Sequence, residues 1–185
     1  MISRGFVRIL ATLALVGLVS AFPSRAEVAD AGDHGFTLRE TATLSVPPAK
    51  AYAAMLEVGK WWGSDHTYSG DAANLSLEAK PGGCWCERLP GGGGVQHMTV
   101  VFLLPGKQVR LAGGLGPLQS MAVAGSMEWK FDPAEDSKGS KVELRYAVGG
   151  YGPGGAGFKE IAAGVESVLK LQFERYKRYA ETGKP

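Results

Sequence analysis

Charge of one sign, cysteine and histidine are all scarce in this chain. Its 185 residues carry 20 Lys and Arg against 18 Asp and Glu, a formal net charge of +2. That balance gives no electrostatic footprint for nucleic acid. The glycine-rich run from Gly149 to Gly157 continues into Phe158-Lys159 and lacks the lysine–hydroxyl pair of a phosphate-binding loop. The apolar stretch Ile9 to Val19 is eleven residues long, short of the roughly 20 that span a bilayer. Cysteine occurs only at Cys84 and Cys86. Zinc centres need about three or four ligands, and a regular strand at Cys84-Trp85-Cys86 would turn both sulfurs away from His97. No metal and no cofactor are therefore expected.

What is present begins with an export signal over residues 1–26. Arg4 and Arg8 precede the apolar stretch, and Ser24-Arg25-Ala26 offers the small residues a signal peptidase reads. Val19-Ser20-Ala21 offers a second cut. The first cysteine is Cys84, so no lipid-attachment cysteine adjoins the signal. Removing residues 1–26 takes away three arginines and no acid, which leaves 159 residues with a net charge of −1. A chain of that size suits one domain. The expected location is periplasmic or secreted, with no membrane span after cleavage. The oxidising compartment would allow Cys84 and Cys86 to be oxidised. On a regular strand, however, their Cα atoms would stand about 6.5–7 Å apart, near the limit for a disulfide.

The remaining chain divides by hydrophobic period. Residues 27–35 are small, acidic and unpatterned, and read as a linker before a domain at 36–185. Phe36 to Val46 alternates as a strand, with Glu40 the exception on its apolar side. Pro47-Pro48 then starts a helix over Ala49 to Trp62. Six strand-like segments follow, separated by Gly and Pro turns. Met121, Val123, Met127, Trp129 and Phe131 share one face, as do Val142, Leu144, Tyr146 and Val148. Phe158 to Thr182 is an amphipathic helix with Gly183 and Pro185 just past its end. A helix that long needs a wide apolar surface. The predicted fold is α+β: a curved antiparallel sheet of about six to seven strands wrapped around the last helix, with one or two short helices after the first strand.

That element order resembles the SRPBCC (START-like, helix-grip) superfamily, nearest the branch named after the activator of a heat-shock chaperone's ATPase. The resemblance is carried by Trp61-Trp62, Pro81-Gly82-Gly83-Cys84-Trp85, Cys86-Glu87-Arg88, Pro105-Gly106-Lys107 and the terminal helix. It covers residues 36 to 182. It implies a cavity for an apolar molecule such as a lipid, polyketide or hormone, and in a few members a cyclase or hydrolase activity. It also implies that Trp85 and Glu87 face inward. Alternation alone equally allows Cys84, Cys86, Met98, Val100 and Phe102. A chaperone-activating role transfers poorly to an exported chain.

The sharpest constellation is Glu87 with His97. Pairing Leu89 with Val95 would set Glu87 opposite His97 and Trp85 opposite Thr99, with Cβ atoms roughly 5 Å apart. A carboxylate beside an imidazole can orient a general base, or a polar pair can simply anchor a ligand. His66 in the loop Asp65-His66-Thr67-Tyr68 reads as an exposed loop residue near the cavity mouth. Gly164 removes a side chain where a ligand could approach. The preferred expectation is a carrier for an apolar or amphipathic, lipid-like small molecule. Its ligand-binding residues would be Trp61, Trp62, Trp85, Glu87, His97, Met127, Trp129, Tyr146, Val165 and Leu169. The alternatives are an enzyme using His97 and Glu87, and a protein-interaction module with a filled core. A homodimer is left open.

Overall fold

The computed structural model describes residues 25–135, 138–151 and 157–185. The expected signal therefore lies outside the described residues, apart from the backbone of Arg25 and Ala26. So does most of the glycine-rich run from Gly149 to Gly157, at 152–156. The strands are β1 (Arg25–Gly32), β2 (Gly35–Leu44), β3 (Leu75–Leu77), β4 (Cys84–Arg88), β5 (Gly94–Leu104), β6 (Gln108–Ala112), β7 (Val123–Pro133) and β8 (Ser140–Gly150). All pair antiparallel in one eight-stranded sheet of order β1-β2-β8-β7-β6-β5-β4-β3. Among the described residues three α-helices complete it: α1 (Pro48–Leu56), α2 (Val58–Trp61) and α3 (Phe158–Thr182). This is an α+β helix-grip fold, with α3 held against the inner face of the sheet.

Two expectations need correction. Residues 27–35 are not a linker. Most of them form β1, which pairs with β2 from Arg25↔Thr41 to Gly32↔Gly35. The strand was hidden because it is an edge strand with mostly exposed side chains and a register shift between Val28 and Asp30, so no clean alternation marks it. The helix expected over 49–62 is also broken, at Glu57 (φ −86, ψ 46), into α1 and α2. The break lets α2 approach the start of β3. A Cβ at Gly59 would come 2.7 Å from the Leu75 carbonyl oxygen, so only glycine fits there.

The interior has a filled end and a hollow end. At the filled end Trp61, Trp129, Phe131, Phe173 and Tyr176 are all buried. Trp129 meets the Tyr176 ring at 5.0 Å and the Phe173 ring at 5.8 Å, while Trp61 meets Tyr176 at 5.6 Å. Edge-on and tilted contacts of this kind add to the apolar burial of each ring. The Tyr176 hydroxyl donates to the Ala51 carbonyl at 3.0 Å, which ties α3 to α1. The C-terminal half of α3 thus packs fully, with Leu169, Phe173, Tyr176 and Ala180 buried. In its N-terminal half Ile161, Val165 and Val168 are only half-buried. Among the described residues, no helix is long and apolar enough to cross a membrane.

Candidate functional site

The hollow end is a cavity of about 410 Å³. Its roof is α3, through Ile161, Gly164, Val165, Val168 and Leu169. Its floor is Trp85 and His97 from β4 and β5. One side is the segment after α2, from Trp62 through Tyr68, with Leu75 behind it. The other side is the β6–β7 connection, where Leu115, Leu118 and Met121 turn inward. A concave pocket of this size with apolar walls and few polar groups is the usual form of a small-molecule site.

A bulge builds the floor. β4 and β5 pair as Trp85↔Met98 and then Cys86↔Gln96, which leaves His97 as the extra residue. Glu87 is therefore paired with Val95, not with His97 as the regular register predicts. The bulge instead turns both His97 and Met98 inward, so two consecutive residues of β5 are buried. Trp85 and Glu87 are the inward residues of β4, and Cys84 and Cys86 lie on the outer face. The two cysteines form a disulfide, with Cα atoms 5.3 Å apart. This is closer than the roughly 6.5–7 Å of a regular strand, and the ladder's register shift falls at the same place, between Trp85 and Cys86. The disulfide thus frames Trp85 from outside, opposite the bulge that carries His97.

Glu87 and His97 meet within the site, with Oε2 2.9 Å from His97 Nε2. Glu87 Oε1 also accepts a short hydrogen bond of 2.5 Å from the Ser69 backbone N–H. Burial works to raise the Glu87 pKa, but hydrogen bonds from Ser69, His97 and the Tyr68 backbone outweigh it and hold the carboxyl below its ordinary range. With Glu87 a carboxylate, the shared proton lies on Nε2. His97 Nδ1 is buried and has no hydrogen-bond partner among the described residues. The Glu87 clamp fixes the loop that carries Tyr68, whose ring stacks on His97 at 5.9 Å. The Trp62 indole N–H donates to the His66 carbonyl at 2.9 Å and shapes the same loop. Trp62 and Trp85 meet edge to face at 5.2 Å.

The opposite wall hangs from Tyr146. Its hydroxyl accepts from the Leu115 N–H at 3.0 Å and donates to the Gly113 carbonyl at 3.1 Å. Burial pushes the Tyr146 pKa up to about 12, against the opposing effect of the Leu115 N–H. Gly125 makes room for this link, since a Cβ there would collide with the Gly113 carbonyl and the Tyr146 ring.

Of the residues expected to bind ligand, Trp62, Trp85, His97, Val165 and Leu169 line the cavity. Glu87 stands behind His97. Trp61 and Trp129 belong to the aromatic cluster of the filled end, Met127 is core, and Tyr146 acts through the loop it holds. His66 and Gly164 line the cavity as well. Sequence reasoning missed Leu115, Leu118 and Met121 as a wall. The available signal was three large apolar residues close together in a segment otherwise read as a loop and the start of a strand.

No family model matches the sequence, and no curated protein matches it at a significant level. Solved structures do match the fold. CalU16 from Micromonospora echinospora aligns with TM-score 0.56 at 10% identity, over 88% of this chain and 86% of that one. Ara h 8.0201 aligns with TM-score 0.54 at 18% identity, over 78% and 96%. StfQ, a di-domain ARO/CYC from the steffimycin biosynthetic pathway, aligns with TM-score 0.56 at 17% identity, over 80% of this chain and 50% of that one. At these identities the likeness establishes the α+β helix-grip fold and nothing finer.

Proposed function

We propose that this protein is an exported carrier that encloses an apolar or amphipathic small molecule between α3 and the sheet. The observation that carries the reading is the cavity of about 410 Å³ under the N-terminal half of α3, in a molecule whose other half is fully packed. Leaving Ile161, Val165 and Val168 only half-buried forgoes stabilisation at about 25 cal/mol per Å² of apolar surface. A bound apolar molecule would recover it. Export is supported by the signal pattern of residues 1–26 and by the disulfide, which suits an oxidising compartment. Of the two cleavage sites, only the cut after Ala21 leaves β1 whole, since β1 starts at Arg25. The motifs around Trp61-Trp62 and Pro81-Gly82-Gly83 support the chaperone-ATPase-activator branch by sequence pattern. The hollow interior argues against a filled-core interaction module.

Native mass spectrometry of freshly purified protein tests the carrier, with a co-purifying small-molecule mass as the expected result. Gly164→Phe is the control. Gly164 lines the cavity, and a Cβ there would meet nothing within 4 Å. The variant is expected to lose the extra mass and to keep its circular dichroism. Wild-type protein that carries no ligand, and that no apolar compound protects against thermal unfolding, counts against the carrier.

The buried Glu87–His97 pair in the cavity wall favours a second reading, a cyclase- or hydrolase-type enzyme with His97 as base. Turnover of a cavity ligand with a sigmoid pH response, abolished in His97→Ala, is its expected signature. Undiminished turnover in that variant removes it.

A further inference from the structure

Two cavity-lining rings each have one nitrogen without a partner among the described residues. In the neutral imidazole tautomer that donates through Nε2 to the Glu87 carboxylate, His97 Nδ1 is a lone-pair acceptor. Trp85 Nε1 is a buried N–H donor with no acceptor. The two rings are neighbours, 6.4 Å apart and edge to face. Leaving buried polar atoms unsatisfied costs about 1–3 kcal/mol each, so such atoms in a cavity wall point to a ligand group that satisfies them. The acceptor needs a donor and the donor needs an acceptor. A hydroxyl is the smallest group that supplies both, since its O–H can donate to Nδ1 while its oxygen accepts from the indole N–H.

Charge narrows the ligand further. Among the described residues no Lys or Arg lines the cavity, and the one lining carboxylate is Asp65 at the mouth. A carboxylate or phosphate headgroup would find no lysine or arginine among them. It would also face the His97 lone pair, with the Glu87 carboxylate just behind it. Asp65 and Glu87 both disfavour an anion. Resting on the carrier reading above, we infer that the cavity selects a neutral, hydroxyl-bearing apolar molecule, an alcohol or a phenol, through His97 Nδ1 and Trp85 Nε1, and rejects fatty acids and other anionic amphiphiles. The ligand's body lies between Trp62 and Val165, and its hydroxyl sits at the floor.

The test uses three probes of one scaffold: naphthalene, naphthol and naphthoate. Each is scored by its power to displace the neutral dye N-phenyl-naphthylamine from the full-length protein. Naphthol is expected to bind about 10-fold tighter than naphthalene, as one net hydrogen bond provides. Naphthoate is expected to bind at least about 10-fold more weakly than naphthol. Trp85→Phe keeps an aromatic floor but removes the N–H. It should lower the naphthol-to-naphthalene affinity ratio about 3- to 10-fold, while continued naphthalene binding shows the cavity is intact. Naphthol binding no tighter than naphthalene, or naphthoate binding as tightly as naphthol, overturns the inference and leaves the carrier standing. Failure of the dye and of all three probes to bind removes the carrier, and the inference with it.

Discussion

Glu87 Oε2 lies 2.9 Å from His97 Nε2, although the ladder pairs Glu87 with Val95 and leaves His97 as the bulged residue. The bulge decides which neighbour joins His97 in the interior. In a regular register with the same turn, His97 would pair with Trp85 and still face the cavity, while Met98 would turn outward. The pair also does two jobs at once. Glu87 fixes the tautomer of His97 and, through Ser69, anchors the loop that closes the cavity mouth.

Removing Glu87 should therefore cost stability and loosen the mouth together. Glu87→Ala leaves the Ser69 N–H and the imidazole N–H without their acceptor, a loss of about 2–4 kcal/mol in chemical unfolding. Amides of residues 64–71 should exchange faster with solvent. Glu87→Gln keeps an acceptor and should lose roughly half as much. The sign with pH follows from the depressed pKa. The stabilisation is present above the unfolded-state carboxylate range and disappears as pH falls through the lower folded value. Wild type should lose more stability than Glu87→Gln on acidification below the ordinary glutamate range.

Glu40 gives the opposite slope. It lies on the buried side of β2 under α3, and neither carboxyl oxygen has a hydrogen-bond partner among the described residues. Burial raises its pKa to about 8. Glu166 and Glu174 on α3 add to that rise, and Lys170 and Lys177 oppose it. The native state therefore holds a proton that the unfolded state releases between the ordinary glutamate range and about 8. Stability falls as pH rises across that window and levels off above it, with a total change on the order of a few kcal/mol. Glu40→Gln should flatten the profile and unfold at higher temperature than wild type near the top of the window. A wild-type profile that is flat from mildly acidic to mildly alkaline pH would contradict this.

Tyr146→Phe tests the suspension of the β6–β7 connection. It frees the Leu115 N–H and the Gly113 carbonyl at once. The expected cost is about 1–3 kcal/mol, with faster hydrogen exchange confined to residues 113–121. Gly125→Ala attacks the same link by displacing the Tyr146 ring and should give the same exchange pattern with a larger stability loss.

The disulfide should matter more to the position of His97 than to global stability. It closes a loop of only three residues, and so constrains the unfolded chain by about 1.5 kcal/mol. Replacing both Cys84 and Cys86 by serine should lower stability by no more than that. It should allow β4 to extend opposite the bulge, shifting the imidazole resonances of His97 and the indole resonance of Trp85. Unchanged resonances would show that the bulge stands without the bond.

Much of the architecture was readable because it rests on period. The alternation of Met127, Trp129 and Phe131 and the helical stripe through Leu169, Phe173 and Tyr176 each mark the buried face of one element, whatever its neighbours. β1 escaped because an exposed, bulged edge strand buries too little to show a period. The division of the Trp61-Trp62 pair escaped for another reason. These adjacent residues point to the filled and the hollow end respectively, and only the packing of Tyr176 and Trp129 on one side and Trp85 on the other separates them.

The amino-acid order alone determined the helix-grip succession of elements and the inward face of most strands, since local pattern dictates which side of a strand or helix leaves water. Only the tertiary structure decided the register of β4 on β5 and the closure of Cys84 on Cys86. A single extra residue in one strand reverses which side chains face in, and that choice is made by the sum of contacts across the sheet rather than by any residue in it.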